Sequence, residues 1–154
     1  MKSKARAVVI GGGVVGVSTL YHLAAKGWDD SILLERKSLT SGSTWHAAGL
    51  LPLFNMSYSV GQIHKYSVRF YQELQDETGM DVGFRKVSNI RLASTQDRMD
   101  EYLQYKGVAD TIGVEVKVLS PQEIKDCWPL VSTENLIGAI QHPEDGYIQP
   151  ADLT

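Results

Sequence analysis

Three glycines and one carboxylate carry the first chemistry that can be read from this sequence. Gly11, Gly13 and Gly16 follow the apolar run Ala7-Val8-Val9-Ile10 in the spacing G-x-G-x-x-G, and Glu35 closes the next apolar run, Ile32-Leu33-Leu34. In that context Gly11 permits a tight turn, Gly13 lets backbone approach a pyrophosphate, and Gly16 lets a helix pack closely on a sheet. A helix starting at Val14 and Val15 offers phosphates the N–H groups that have no partner inside the helix. A carboxylate roughly 20 residues past the last glycine can accept hydrogen bonds from an adenosine ribose and repels a 2′-phosphate. That disfavours NADP and leaves FAD and NAD open. The run Gly42-Ser43-Thr44-Trp45-His46-Ala47-Ala48-Gly49-Leu50 adds small residues that let backbone lie against a ligand, with one indole and one imidazole among them. By residue type alone, His46 fits a hydrogen-bonded loop histidine better than a functional one.

These residues need a scaffold. Ala7–Ile10 has the continuous apolar pattern of a parallel strand covered on both faces, and the period then changes to that of a helix from Val14, ended by Gly27. Ile32–Leu34 gives a second strand, so residues 7–35 predict a βαβ unit. Residues 38–57 predict a long functional loop with at most a short helix. A capping box at Ser59-Val60-Gly61-Gln62 starts a second helix that ends near Gly79. Val82–Ala93 alternates as antiparallel strands do. A helix follows over Gln96–Ile112 with Met99, Tyr102, Ala109 and Ile112 on one face, then a strand over Val114–Leu119. Ser120-Pro121-Gln122-Glu123 opens a short helix, Leu136–Gln141 reads as a strand, and Pro143–Pro150 as a turn-rich link.

With 15 Lys and Arg against 18 Asp and Glu, a net charge of -3 and no basic cluster, the composition points away from nucleic acid and anionic membranes. No run approaches the length of a membrane-spanning helix, and no signal-peptide core is visible. Cys127 is the one cysteine; it cannot form an internal disulfide, fits a reducing compartment and reads as a half-buried thiol. His22 and His64 lie within helices and read as structural; Trp28, Tyr66, Phe70 and Tyr71 read as packing. His142 and Asp145 could approach a substrate, although Asp145-Gly146 is also ordinary turn chemistry. No metal-ligand spacing is present.

The runs Gly11–Ser18, Leu33-Leu34-Glu35-Arg36 and Leu39–Leu50 resemble the N-terminal flavin domain of dimethylglycine and sarcosine dehydrogenases. The likeness extends to Glu77-Thr78-Gly79, Ser88–Ala93 and Asp145–Pro150, and its most specific part is Ser43–Gly49. It implies an α/β fold: a Rossmann-like FAD-binding βαβ unit with its attachment loop over residues 1–57, then a helical segment and the start of an antiparallel substrate-domain sheet over residues 58–154. The resemblance places FAD on Gly11, Gly13, Val14, Val15, Gly16, Glu35, Arg36 and residues 42–50, joined covalently through His46 to the 8α carbon. It implies oxidation of a small N-methylated amino acid by hydride transfer, with formaldehyde or a tetrahydrofolate adduct as the fate of the carbon. An electron-transfer flavoprotein or oxygen would reoxidise the flavin. Family members are several times longer, so the expectation is an N-terminal portion whose catalytic residues lie downstream. The alternatives are a related FAD amino-acid oxidase with another substrate, and a non-catalytic FAD-binding fragment. The expected location is cytoplasmic, with the mitochondrial matrix as the alternative; the sequence leaves the oligomeric state open.

Overall fold

The structure, a computed structural model, describes residues 4–154 and divides into two compact units. The first holds residues up to Gly49 with Asp81–Gly83 and Ile148–Thr154; the second holds Leu50–Met80 and Phe84–Tyr147. These units differ from a division at residue 57. The physical reason is that the chain comes back: the Gly49 carbonyl accepts the Ile148 N–H at 2.8 Å, and Gly49, at φ 70, has no room for a Cβ beside the Ile148 carbonyl.

In the first unit, strand β1 (Ala7–Ile10), helix α1 (Val14–Ala25) and strand β2 (Ser31–Leu34) form the expected βαβ unit. The strands are parallel, in register from Ala7 opposite Ser31 to Ile10 opposite Leu34. The complete cover expected for both strands is not seen: Ile10 is 85% exposed, and Val8 and Leu34 are about half exposed. Two strands and one helix do not bury both faces of a parallel pair. Past β2 a 3-10 turn spans Ser43–His46, the short helix anticipated for the loop. Trp28 packs under the Arg6 guanidinium, 3.9 Å from the ring centroid.

The second unit carries β3 (Leu50–Leu51), α2 (Tyr58–Thr78), β4 (Arg85–Lys86), β5 (Asn89–Ala93), α3 (Gln96–Ile112), β6 (Lys117–Leu119), α4 (Pro121–Cys127), β7 (Gly138–His142) and β8 (Gly146–Tyr147). Two antiparallel three-stranded sheets run in the orders β3-β8-β4 and β5-β7-β6. Helix α2 begins at Ser57, whose hydroxyl accepts the Val60 N–H, rather than at the capping box read at Ser59. Two serines stand at the right distance from the same helix start, and the earlier one is used. Helix α3 has the predicted ends, capped by the Thr95 hydroxyl and by left-handed Gly113. Its face Met99, Tyr102, Tyr105, Ala109 and Ile112 forms the core with Val68, Val114 and Ile140. A Cβ on Gly61 would strike the Ile112 side chain, so glycine there lets α2 and α3 approach. The strand expected from Val114 is regular only over Lys117–Leu119, and Cys127, at the end of α4, is exposed rather than half-buried.

A polar network lies inside this core. The Tyr105 hydroxyl donates to the Leu53 carbonyl at 3.2 Å, and Asp145 Oδ1 accepts the Leu53 N–H at 2.9 Å. His142 Nε2 is 3.0 Å from the Tyr105 oxygen, whose proton goes to Leu53, so Nε2 is the donor in that pair. Burial pushes Asp145 up to about 6, Tyr105 up to about 12 and His142 down to about 4.

The Asp145 and His142 shifts act on stability with opposite sign. Asp145 titrates above its ordinary 3.8, so the folded chain holds the extra proton and gains stability as pH falls from 6 towards 3.8. His142 titrates below 6.5, so the unfolded chain holds the extra proton and stability is lost from 6.5 towards 4. Asp145→Asn removes the first contribution and keeps the second. Relative to the parent, urea unfolding of this variant should lose stability as pH falls from 6 to 4, by up to about 1.4 kcal/mol per pH unit. Parallel profiles for the two proteins would contradict the burial of an ionisable Asp145.

Candidate functional site

The turn between β1 and α1 has almost all of its polar backbone assigned. Gly11, at φ 110, donates its N–H to the Leu34 carbonyl at 2.8 Å and so holds the turn on the end of β2. Gly12 donates to Glu35 Oε2 at 2.6 Å, and its carbonyl accepts the Thr40 N–H at 2.9 Å. Glu35 Oε1 accepts the Lys37 N–H at 2.8 Å. The Gly12 N–H, then that of Lys37, hold the Glu35 carboxyl below the usual carboxylate range, and it stays ionised with lone pairs open to solvent. Glu35 is therefore a clamp on the glycine turn as well as a potential ribose acceptor.

The start of α1 corrects one expectation. Val14 does not offer its N–H to a ligand, because that group donates to Thr44 Oγ1 at 3.0 Å. The first helical N–H has no partner inside the helix, and a hydroxyl arriving from the 3-10 turn supplies one. Among the described residues, the N–H groups of Gly13, Val15 and Gly16 have no acceptor in the protein, and these remain for an anion. A Cβ on Gly16 would overlap the Gly11 carbonyl, so glycine there sets how closely α1 lies on β1.

These groups face one cleft of about 720 Å³. Gly11, Gly13, Val14, Val15, Gly16, Glu35, Arg36, Gly42, Ser43, Thr44 and Ala47 all line it. Trp45, His46, Ala48, Gly49 and Leu50 do not. The Trp45 and His46 rings pack on each other instead, centroids 3.9 Å apart and tilted by 36°, and both side chains are exposed. The cleft also takes in Gly12, Thr19, Lys37 and Ser41, which the spacing argument passes over. Gly12 could have been found, since it stands inside the glycine run; Lys37 gives no sequence signal. His142 and Asp145, read as able to approach a substrate, are buried in the second unit at 0% and 2% exposure. His22 and His64 are bonded to the carbonyls of Ser18 and Pro52.

A helix N-terminus, a glycine turn that admits backbone, and an ionised acid at the end of the adjacent strand together fit the adenosine diphosphate part of a dinucleotide. Residues 6–154 match the family model described as FAD dependent oxidoreductase. The chain belongs to that family. It is 41% identical over 153 residues to dimethylglycine dehydrogenase, mitochondrial, of Rattus norvegicus, an alignment covering 99% of this chain and 18% of that protein. It is 41% identical over 152 residues to sarcosine dehydrogenase, mitochondrial, of Homo sapiens, covering 98% of this chain and 17% of that protein. Both relatives are mitochondrial, which matches the second of the two compartments expected and lends nothing to the cytoplasmic one. Among solved structures, L-proline dehydrogenase from P. horikoshii superposes with a TM-score of 0.89 at 26% identity, covering 99% of this chain and 40% of that one. The FAD-dependent oxidoreductase fold is thus present over the length of this chain, which spans less than a fifth of the two dehydrogenases.

Two glycines of this FAD-dependent chain should respond differently to the same substitution. Gly16→Ala forces α1 away from the Gly11 carbonyl and should cost about 1–3 kcal/mol together with most FAD binding. Gly107→Ala, inside α3 with nothing within 4 Å of the added Cβ, should leave FAD binding unchanged and stability equal or up to about 1 kcal/mol higher. Thermal unfolding and flavin fluorescence titration measure both.

Proposed function

We propose that this chain is the flavin-holding part of an enzyme that oxidises a small N-methylated amino acid at its N-methyl carbon. The observation that carries the reading is the 41% identity, over nearly the whole chain, to both dimethylglycine and sarcosine dehydrogenases. Bound FAD would supply the hydride acceptor. The residues of this chain would bind and orient it: the Gly13 and Val15 N–H groups receive the diphosphate, and Glu35 accepts from the ribose diol while its charge turns away a 2′-phosphate. Arg36 and the backbone of residues 42–50 line the path towards the isoalloxazine, and His46 is the point of covalent attachment. An imidazole nitrogen is a competent nucleophile, and the bond prevents loss of the cofactor. The iminium product hydrolyses to formaldehyde or yields its carbon to tetrahydrofolate, and an electron-transfer flavoprotein takes the electrons. The catalytic groups for substrate belong to the rest of the enzyme.

The test is anaerobic mixing of the full-length protein with dimethylglycine, sarcosine, glycine and proline in turn. Bleaching of the flavin by the N-methylated pair, with formaldehyde released, is the expected result. Bleaching by glycine or proline alone would make it a different amino-acid oxidase of the same family. Glu35→Ala, which removes the turn clamp and the ribose acceptor together, should weaken FAD binding on the order of tenfold or more. Unchanged flavin content after dialysis would contradict that role.

A further inference from the structure

The attachment loop is held at a single buried side chain. From Ser41 to Ala48 every residue is exposed except Thr44, which is 8% exposed. Its hydroxyl accepts the Val14 N–H at 3.0 Å, and its carbonyl accepts the Ala47 N–H at 3.2 Å, closing the turn around Trp45 and His46. Space for that hydroxyl exists because residue 13 is glycine: a Cβ there would sit 3.0 Å from Thr44 Oγ1. Thr44 and Ala47 line the cleft while His46 does not, so the imidazole stands just outside, on a turn whose two ends face inward.

From this geometry we infer that Thr44 is a positioning residue for covalent flavin attachment, its bond to Val14 fixing the turn that presents His46. The inference rests on the covalent reading given above. In the attachment step an imidazole nitrogen bonds to the flavin 8α carbon. That carbon loses a proton, the imidazole loses its N–H proton, and the electron pair of the broken C–H bond passes to the flavin ring. Dioxygen then removes the pair as hydrogen peroxide. Such a reaction depends on how often the nitrogen occupies the attacking position, and a short tether raises that fraction. The phosphate-binding N–H groups of Gly13 and Val15 are separate from the tether, so attachment and affinity should respond separately.

The experiment uses full-length apoprotein mixed with FAD in air. Covalent incorporation is followed as yellow colour and added FAD mass in acid-precipitated protein, and reversible affinity is measured in a His46→Ala background. Thr44→Val should slow incorporation roughly five- to tenfold, the loss of one hydrogen bond, and change affinity by a clearly smaller factor. Thr44→Ser should restore the rate. Thr44→Ala, which removes the hydroxyl without adding bulk beside the Val14 N–H, should slow incorporation at least as much. Unchanged incorporation in Thr44→Val and Thr44→Ala overturns the inference. So does a parallel fall in rate and affinity, which makes Thr44 an ordinary FAD contact or fold element. Wild type that releases all its flavin in acid instead removes the covalent reading, and this inference with it.

Discussion

The contact between Gly16 and the Gly11 carbonyl is the constraint on which the first unit depends. It brings the N-terminus of α1 down onto the end of β1, and every other partner of the turn is then fixed by reach. Leu34 accepts from Gly11, Glu35 from Gly12, and Thr44 from Val14. Three N–H groups are thereby satisfied by two segments, the end of β2 and the 3-10 turn, and those of Gly13, Val15 and Gly16 are left at the cleft. A side chain at residue 16 would separate helix from strand and undo all three bonds at once. The anion site is therefore a remainder: it consists of the donors that the fold does not use itself.

The second unit solves a different problem with similar means. Leu53 is held on both sides, its N–H by Asp145 and its carbonyl by Tyr105, and Tyr105 is in turn held by His142. The segment after β3 thus enters a buried core with both polar groups of Leu53 paired, while His142 Nδ1 and Asp145 Oδ2 have no partner among the described residues. Phe54 packs against Tyr105 with centroids 4.2 Å apart, and the Arg91 guanidinium lies 4.3 Å from the Phe54 ring. These groups are far less exposed than a turn sequence such as Asp145-Gly146 suggests.

Local pattern made much of this legible in the sequence. The change of period between Ile10 and Val17, with glycines at the change, specifies strand, turn and helix; Thr95 and Gly113 mark the ends of α3 because capping is decided by neighbouring residues. What stayed hidden depends on distant partners. Thr44 and Val14 are 30 residues apart, and a hydroxyl reaching the helix start has no signature in spacing. His142 and Asp145 were open to a substrate role because their types permit it, and only the packing of α3 against β7 buries them. The start of α2 is of another kind: Ser59-Val60-Gly61-Gln62 has the box spacing, yet the cap is the Ser57 hydroxyl, whose third neighbour is Val60. The family likeness pointed to His46, which neither composition nor periodicity singles out.

The central claim is that the flavin's diphosphate is received by the donors the turn leaves over. A crystal structure of the full-length protein with FAD measures this directly. The account predicts phosphate oxygens within hydrogen-bond distance of the Gly13 and Val15 nitrogens, the ribose on Glu35, and the Thr44–Val14 bond intact. A diphosphate seated on the Val14 N–H with Thr44 displaced, or bound outside this cleft, would contradict it.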